Sequence, residues 1–142
     1  MQTRRWFLLS MAFAFSLGSV QLSGEPTATA AGRSPQMFRT ITQAQLAQML
    51  TRKGFVFVNV HVPYEGEIEG TDLFIPFDHI AENLDKLPSD KNSNIVLYCR
   101  SGHMSEIAAG TLSKLGYTGV SHVAGGMNAW RDAGHEIFQK GR

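Results

Sequence analysis

The hydrophobic and polar positions from about residue 40 onward follow a pattern of short apolar runs separated by amphipathic segments. Two runs rich in aliphatic and aromatic residues, at 55–60 and 95–98, are typical of strands buried on both faces of a sheet, and a third short strand is predicted at 120–123. Strands that alternate with helices form parallel sheets covered on both faces. The pattern therefore predicts an α/β fold.

Apolar spacing and capping residues predict four helical segments around these strands. The first begins at Thr42, which forms a capping box with Gln45, and ends at Gly54. The other three helices are predicted at 78–87, 104–115 and 128–133.

The first 30 residues have the pattern of an export signal. A basic start precedes an apolar run at 6–20, which is shorter than the roughly 20 residues that a membrane-spanning helix needs. Ala28 and Ala30 then fit an A-x-A cleavage pattern. We predict a cleavable signal at 1–30, a flexible leader at 31–37 and one domain at 38–142.

The basic start also resembles a twin-arginine motif. Arg4 and Arg5 stand in the sequence TRRWFLL, which departs from the usual motif at Leu9, where lysine is common. The alternative is an ordinary basic start that happens to contain two arginines. The motif predicts that the folded protein crosses a bacterial inner membrane into the periplasm.

Composition narrows the set of partners for the chain after the signal. Acidic and basic residues balance after residue 30, which argues against nucleic acid or a stable association with an anionic membrane. The chain has one cysteine, so it forms no internal disulfide bond. The presence of this thiol therefore has to be explained by something other than an internal disulfide bond.

Cys99 stands between the second predicted strand and the third predicted helix. Functional crevices of parallel sheets lie outside the carboxyl ends of the strands, and helix N-termini attract anions there. Arg100 adds positive charge, Gly102 allows a tight turn, and Ser101 and Ser105 can donate hydrogen bonds. This setting favours a nucleophilic thiolate, although a buried structural cysteine is the alternative.

Two motifs resemble a known family. The loop CRSGHMS at 99–105 is similar to the active-site loop of rhodaneses, commonly CRSGxRS, and GGMNAW at 125–130 is similar to the family's C-terminal signature. The resemblance covers residues 38–138 and implies a single-domain rhodanese with a five-stranded parallel sheet between helices. In that family the cysteine carries sulfane sulfur as a persulfide to cyanide or a thiol.

The resemblance also implies which residues form the site. Cys99 is the predicted catalytic residue, and Asn59 and His61 are candidate supporting residues at the neighbouring strand end, where the family usually has Asp and Arg. His61 and His103 are the histidines expected near the sulfur, and the histidine spacing predicts no metal site or cofactor. The predicted substrate-binding loop comprises Arg100, Ser101, Gly102, His103, Met104 and Ser105.

Two features bear on the sulfur donor. Met104 stands where many rhodaneses have arginine, which predicts a donor less charged than the thiosulfate dianion, such as a low-molecular-weight or protein persulfide. The loop after the first strand contains Glu65, Glu67, Glu69 and Asp72. We interpret it as a solvated loop, the alternatives being a cation site or a group that repels anionic donors.

Other functions remain open at this point. Rhodanese-fold phosphatases and arsenate reductases have a longer loop ending in arginine, which this chain lacks at 104–106. A non-catalytic binding or sulfur-carrier module is the main alternative. Without a second cysteine, sulfur must leave to an outside acceptor, which predicts a small-molecule donor and a thiol or cyanide acceptor, with a periplasmic thiol protein as a further candidate.

The export hypothesis has a direct test. Replacing Arg4 and Arg5 together with lysine should retain the precursor in the cytoplasm, because twin-arginine transport requires the arginine pair whereas a general secretory signal needs only positive charge. Cell fractionation measures the outcome. Undiminished periplasmic protein in the double variant would contradict twin-arginine transport.

Overall fold

The computed structural model describes residues 37–140. The predicted export signal, its twin-arginine motif and the leader up to residue 36 lie outside the described residues. Among the helices of 37–140, none has the length and apolar character needed to cross a membrane.

Five parallel strands form the sheet: β1 Arg39–Ile41, β2 Val56–Asn59, β3 Leu73–Phe74, β4 Ile95–Tyr98 and β5 Val120–Val123. Their order in the sheet is β1-β5-β4-β2-β3. The central strand β4 is buried at all four positions, as its apolar run predicts. Asn59 at the end of β2 pairs with Tyr98 at the end of β4, so the two strands stop at the same edge.

Four helical elements connect and cover the strands. The capping box of the first helix is present: the Thr42 hydroxyl accepts from the Gln45 N–H at 3.2 Å, and the Gln45 side chain accepts from the Thr42 N–H at 2.9 Å. The elements are α1 Gln43–Leu50, a 3-10 helix Phe77–Lys86, α2 His103–Lys114 and α3 Gly126–Asp132.

Some local predictions differ from the structure. The first helix ends at Leu50 rather than near Gly54. The segment predicted as a helix at 78–87 is a 3-10 helix interrupted by the non-helical Asn83. The strands β1 and β3 were not predicted by the apolar pattern, because they are two or three residues long and mostly exposed or half-buried.

The core lies on both faces of the sheet. On one face, Val58 and Leu97 pack with Ala108 and Leu112 of α2 and with Ile80 of the 3-10 helix. On the other, residues of β2, β4 and β5 pack against α1 and α3 in a second cluster that includes Phe57, Tyr98, Leu46, Met127 and Trp130. The predicted α/β fold, a five-stranded parallel sheet with helices on both faces, is therefore confirmed.

The N-terminus of α3 holds the loop that follows β4. The N–H of Met127 donates to the carbonyl of Cys99 at 2.9 Å, and the N–H of Asn128 donates to the carbonyl of Arg100 at 3.0 Å. Gly126 has φ +52°, and a Cβ built on it would overlap the Cys99 carbonyl oxygen. Only glycine allows this approach without displacing the loop.

Replacing Gly126 with alanine should therefore destabilise the protein by about 2 kcal/mol or more, because strain at positive φ adds to overlap with the Cys99 carbonyl. Gly134→Ala is the matched control: its φ is +89° but its Cβ would meet nothing within 4 Å. It should cost only the backbone strain of roughly 1 kcal/mol. Urea unfolding of both variants measures the difference, and equal losses of stability would contradict the proposed overlap.

Candidate active site

Cys99 follows β4 directly, at the carboxyl edge of the sheet. Its Sγ accepts a hydrogen bond from the backbone N–H of Gly102 at 3.0 Å, so a loop N–H does reach the sulfur. The side chain is only 1% exposed and packs in the cluster of Val58, Val60 and Leu97. The thiol is thus more enclosed than its loop position suggests, because Cys99 continues the alternation of β4 and joins Leu97 on the same face.

Gly102 turns the loop back into α2. It caps the helix with φ +100°, a left-handed conformation that glycine adopts without strain. Its carbonyl accepts from the Ser105 hydroxyl at 2.9 Å and from the Glu106 N–H at 3.0 Å. The same residue therefore donates to the sulfur and is fixed by the first turn of α2.

A buried histidine on β5 extends this network. His122 lies with its Nδ1 3.3 Å from the Ser105 hydroxyl and its Nε2 3.0 Å from the Thr40 hydroxyl. Burial lowers the pKa of His122, opposed in part by the Glu106 carboxylate and the Gly102 backbone. The neutral ring thus links β1 and β5 to the first turn of α2. Sequence reasoning did not single out this position, although a histidine within a predicted strand was the available signal.

The predicted supporting residues lie at the end of β2. Asn59 is fully buried; its amide donates to the Gly66 carbonyl at 2.9 Å and its side-chain oxygen accepts from the His61 N–H at 3.0 Å. His61 is 6% exposed, and neither ring nitrogen forms a hydrogen bond within the described part of the chain. Its Nε2 lies 3.3 Å from a Glu65 oxygen, close enough for an ion pair but not oriented for a hydrogen bond.

Arg100 is exposed and pairs with the acidic loop. Its Nη1 lies 3.3 Å from Oε1 of Glu65. Two further acidic residues of this loop also have basic partners: Asp72 pairs with Lys53 at 2.6 Å and Glu67 lies 3.8 Å from Lys140. The loop is thus organised by ion pairs, in contrast to the simply solvated loop that the sequence suggested.

The remaining loop residues divide between the interior and the surface. Ser101 and His103 are exposed, and His103 borders a groove with Phe38 and Glu106 on the side of α2. Met104 is half-buried and packs against the core cluster that contains Cys99. The structure therefore gathers Cys99, Gly102, Met104 and Ser105 inward and leaves the other loop side chains in solvent.

No group of three or more His, Cys, Asp or Glu side chains within residues 37–140 is arranged to hold a metal ion. In this network the backbone N–H of Gly102 donates to the sulfur, and the Ser105 hydroxyl and the His122 ring follow Gly102 along the chain of hydrogen bonds. Such groups bind or orient anions and thiolates by hydrogen bonding.

Comparison with known proteins agrees with the fold. The rhodanese-like domain model matches residues 42–133, and the chain belongs to the rhodanese family. It is 32% identical over 103 residues to an uncharacterized protein of Synechocystis sp., covering 71% of this chain and 56% of that protein. It is 33% identical over 109 residues to the tRNA uridine(34) hydroxylase of Erwinia tasmaniensis, covering 70% of this chain and 31% of the relative.

Solved structures show the same architecture. A rhodanese-related protein from Thermoplasma volcanium aligns with TM-score 0.62 and 26% identity, covering 72% of this chain and 100% of that one. An NAD-dependent persulfide reductase from A. fulgidus aligns with TM-score 0.54 and 29% identity, covering 66% of this chain and 16% of that one. The chain thus spans about half or less of the curated relatives and a small part of the reductase.

The buried His122 predicts a pH dependence of stability. Its pKa is lowered from the ordinary value of 6.5, so below pH 6.5 the unfolded chain binds a proton there more readily than the folded protein does. The stability that His122 contributes is therefore present above pH 6.5 and is lost as the pH falls toward the lower, folded-state pKa.

We expect acidification from pH 7.5 to 5.5 to reduce the free energy of unfolding more in the wild type than in His122→Gln, as measured by urea titrations. His79→Gln, which alters an exposed histidine, should follow the wild-type profile. Parallel profiles for wild type and His122→Gln would contradict the assigned role.

Proposed function

We propose that this rhodanese is a sulfurtransferase that carries sulfane sulfur as a persulfide on Cys99. The observation that supports this most directly is the Gly102 N–H, which donates to Sγ at 3.0 Å from a loop fixed by α2 and α3. A donor N–H at this position stabilises negative charge on sulfur, both in the thiolate and in a persulfide.

The proposed cycle conserves charge and atoms. The Cys99 thiolate attacks the outer sulfur of a donor, such as thiosulfate or a persulfide, and forms a sulfur–sulfur bond as the donor's own sulfur bond breaks. Sulfite or a thiolate leaves with the electron pair of that bond. Attack of cyanide or a thiolate on the outer sulfur of the Cys99 persulfide then releases thiocyanate or a new persulfide and restores the thiolate.

Burial of Cys99 has two consequences for this cycle. The apolar wall of Val58, Val60 and Leu97 shields the persulfide from water and from unselective thiols. Because the thiol is 1% exposed, donor and acceptor reach it only when the loop or the side chain shifts.

Because Cys99 is the sole cysteine, the sulfur that it carries needs an acceptor outside the chain. No second thiol is present to resolve the persulfide within the chain, so the sulfur leaves to an external thiol or cyanide. The predicted export signal would place this exchange in the periplasm, where a thiol protein is a suitable acceptor. The hydroxylase activity named for one relative belongs to a protein of which this chain covers 31%.

A phosphatase or arsenate-reductase activity has less support from the loop. Those enzymes grip a tetrahedral oxyanion with an arginine at the end of the loop, whereas positions 104–106 here are Met, Ser and Glu. Ser105 is already engaged by Gly102 and His122. A sulfur carrier would take up sulfur without turnover and a binding module would take up none, so one experiment separates these functions.

Incubation with thiosulfate or glutathione persulfide should add one sulfur, about 32 Da, to the intact protein, and cyanide should remove it with release of thiocyanate. Cys99→Ser should abolish both the added mass and turnover, because a hydroxyl forms no persulfide, while circular dichroism and unfolding show a retained fold. Sulfur uptake without turnover would indicate a carrier. Turnover by Cys99→Ser at the wild-type rate would exclude Cys99 from the mechanism.

A further inference from the structure

The Glu65 carboxylate lies between the Arg100 guanidinium and the His61 ring. Its Oε1 lies 3.3 Å from Nη1 of Arg100 and its Oε2 lies 3.3 Å from Nε2 of His61. Arg100 immediately follows Cys99, and β2 and β4 are paired, which brings His61 and Arg100 to adjacent strand ends. One carboxylate therefore faces both a cation and a buried imidazole, and the cation belongs to the residue that follows Cys99 in the chain.

The backbone around Glu65 is held on both sides. The Glu65 carbonyl accepts from the Gln139 side chain at 3.2 Å, and the Gly66 carbonyl accepts from the buried Asn59 amide at 2.9 Å. Glu67 and Phe138 exchange two backbone hydrogen bonds of 2.8 Å. The loop is thus strapped by the C-terminal segment and by β2, which keeps the Glu65 carboxylate near Arg100.

This arrangement changes the charge that a donor meets. A free Arg100 would present a permanent cation one residue from the nucleophile, suited to the sulfonate of thiosulfate. With Glu65 at 3.3 Å the pair is close to neutral, and its carboxylate repels a dianion more strongly than a monoanion. Met104 packs inward and supplies no charge in its place.

We propose that Glu65 is a specificity-determining residue that neutralises Arg100 and directs the site toward monoanionic persulfide donors and away from dianions such as thiosulfate. This inference rests on the proposed sulfurtransferase function. The chemistry at Cys99 is the same for both donors, since each delivers its outer sulfur to the thiolate. Selection therefore acts on the approach and binding of the donor.

The test compares kcat/KM for thiosulfate, a dianion, and for cysteine persulfide, which is a monoanion when its persulfide is ionised. Glu65→Gln removes the carboxylate and frees Arg100, and it should raise kcat/KM for thiosulfate by about threefold to tenfold while changing the persulfide value by less than about twofold. Both partners are partly exposed, at 53% and 38% of their side-chain surfaces. The gain should accordingly shrink as salt is raised from about 20 mM to 500 mM.

Two further variants separate this role from alternatives. Glu69→Gln removes a charge from an exposed position of the same loop and should leave the donor preference unchanged, which controls for net charge. In an Arg100→Gln background, Glu65→Gln should give little or no gain with thiosulfate, because the charge it would release is absent. The double-mutant cycle measures this coupling.

The outcomes distinguish the inference from the function on which it rests. An unchanged or lower thiosulfate-to-persulfide ratio in Glu65→Gln, or an equal gain in Glu69→Gln, would overturn the role of Glu65 while sulfur transfer stands. A gain that persists without Arg100 would overturn the proposed neutralisation. A wild-type protein that takes up no sulfur from either donor would refute the transfer function itself.

Discussion

The hydrogen bonds from α3 to the carbonyls of Cys99 and Arg100 are the interaction on which the site depends. They turn the chain out of β4 immediately after the reactive residue and hold the loop against a second element. Because Gly126 has no side chain, the helix backbone approaches the loop backbone directly. The two sequence motifs of the family, at 99–105 and 125–130, are thus far apart in the chain but contact each other in the fold.

With its carbonyls fixed, the loop directs the Gly102 N–H toward the sulfur. Gly102 donates to the sulfur, and its own carbonyl is bound by Ser105, which reaches the neutral His122 on β5. Buried hydrogen bonds polarise one another, and here they hold the Gly102 N–H in place before any reaction. Little reorganisation is therefore needed when charge develops on sulfur. The sheet therefore supports the chemistry through β1 and β5 as well as through β4.

The fold was predictable where burial dominates and less so elsewhere. Buried runs such as 95–98 and the Thr42 capping box carry strong local signals, and both are present in the structure. The edge strands β1 and β3 are short and partly exposed, so they owe their conformation to pairing with distant strands. The burial of Cys99 follows from its register with Leu97, which the loop sequence alone does not reveal.

Pairing between distant residues was the least predictable feature of the site and the one that sets its charge. Arg100 and Glu65 are 35 positions apart, and only the adjacency of β2 and β4 brings them together. A cationic loop read from the sequence is thus closer to neutral in the fold. In the proposed mechanism, stabilisation of the sulfur depends on the oriented Gly102 N–H, whose effect acts at short range and does not attract distant dianions. Under that proposal, reactivity at Cys99 and attraction of its donor are separable properties carried by different residues.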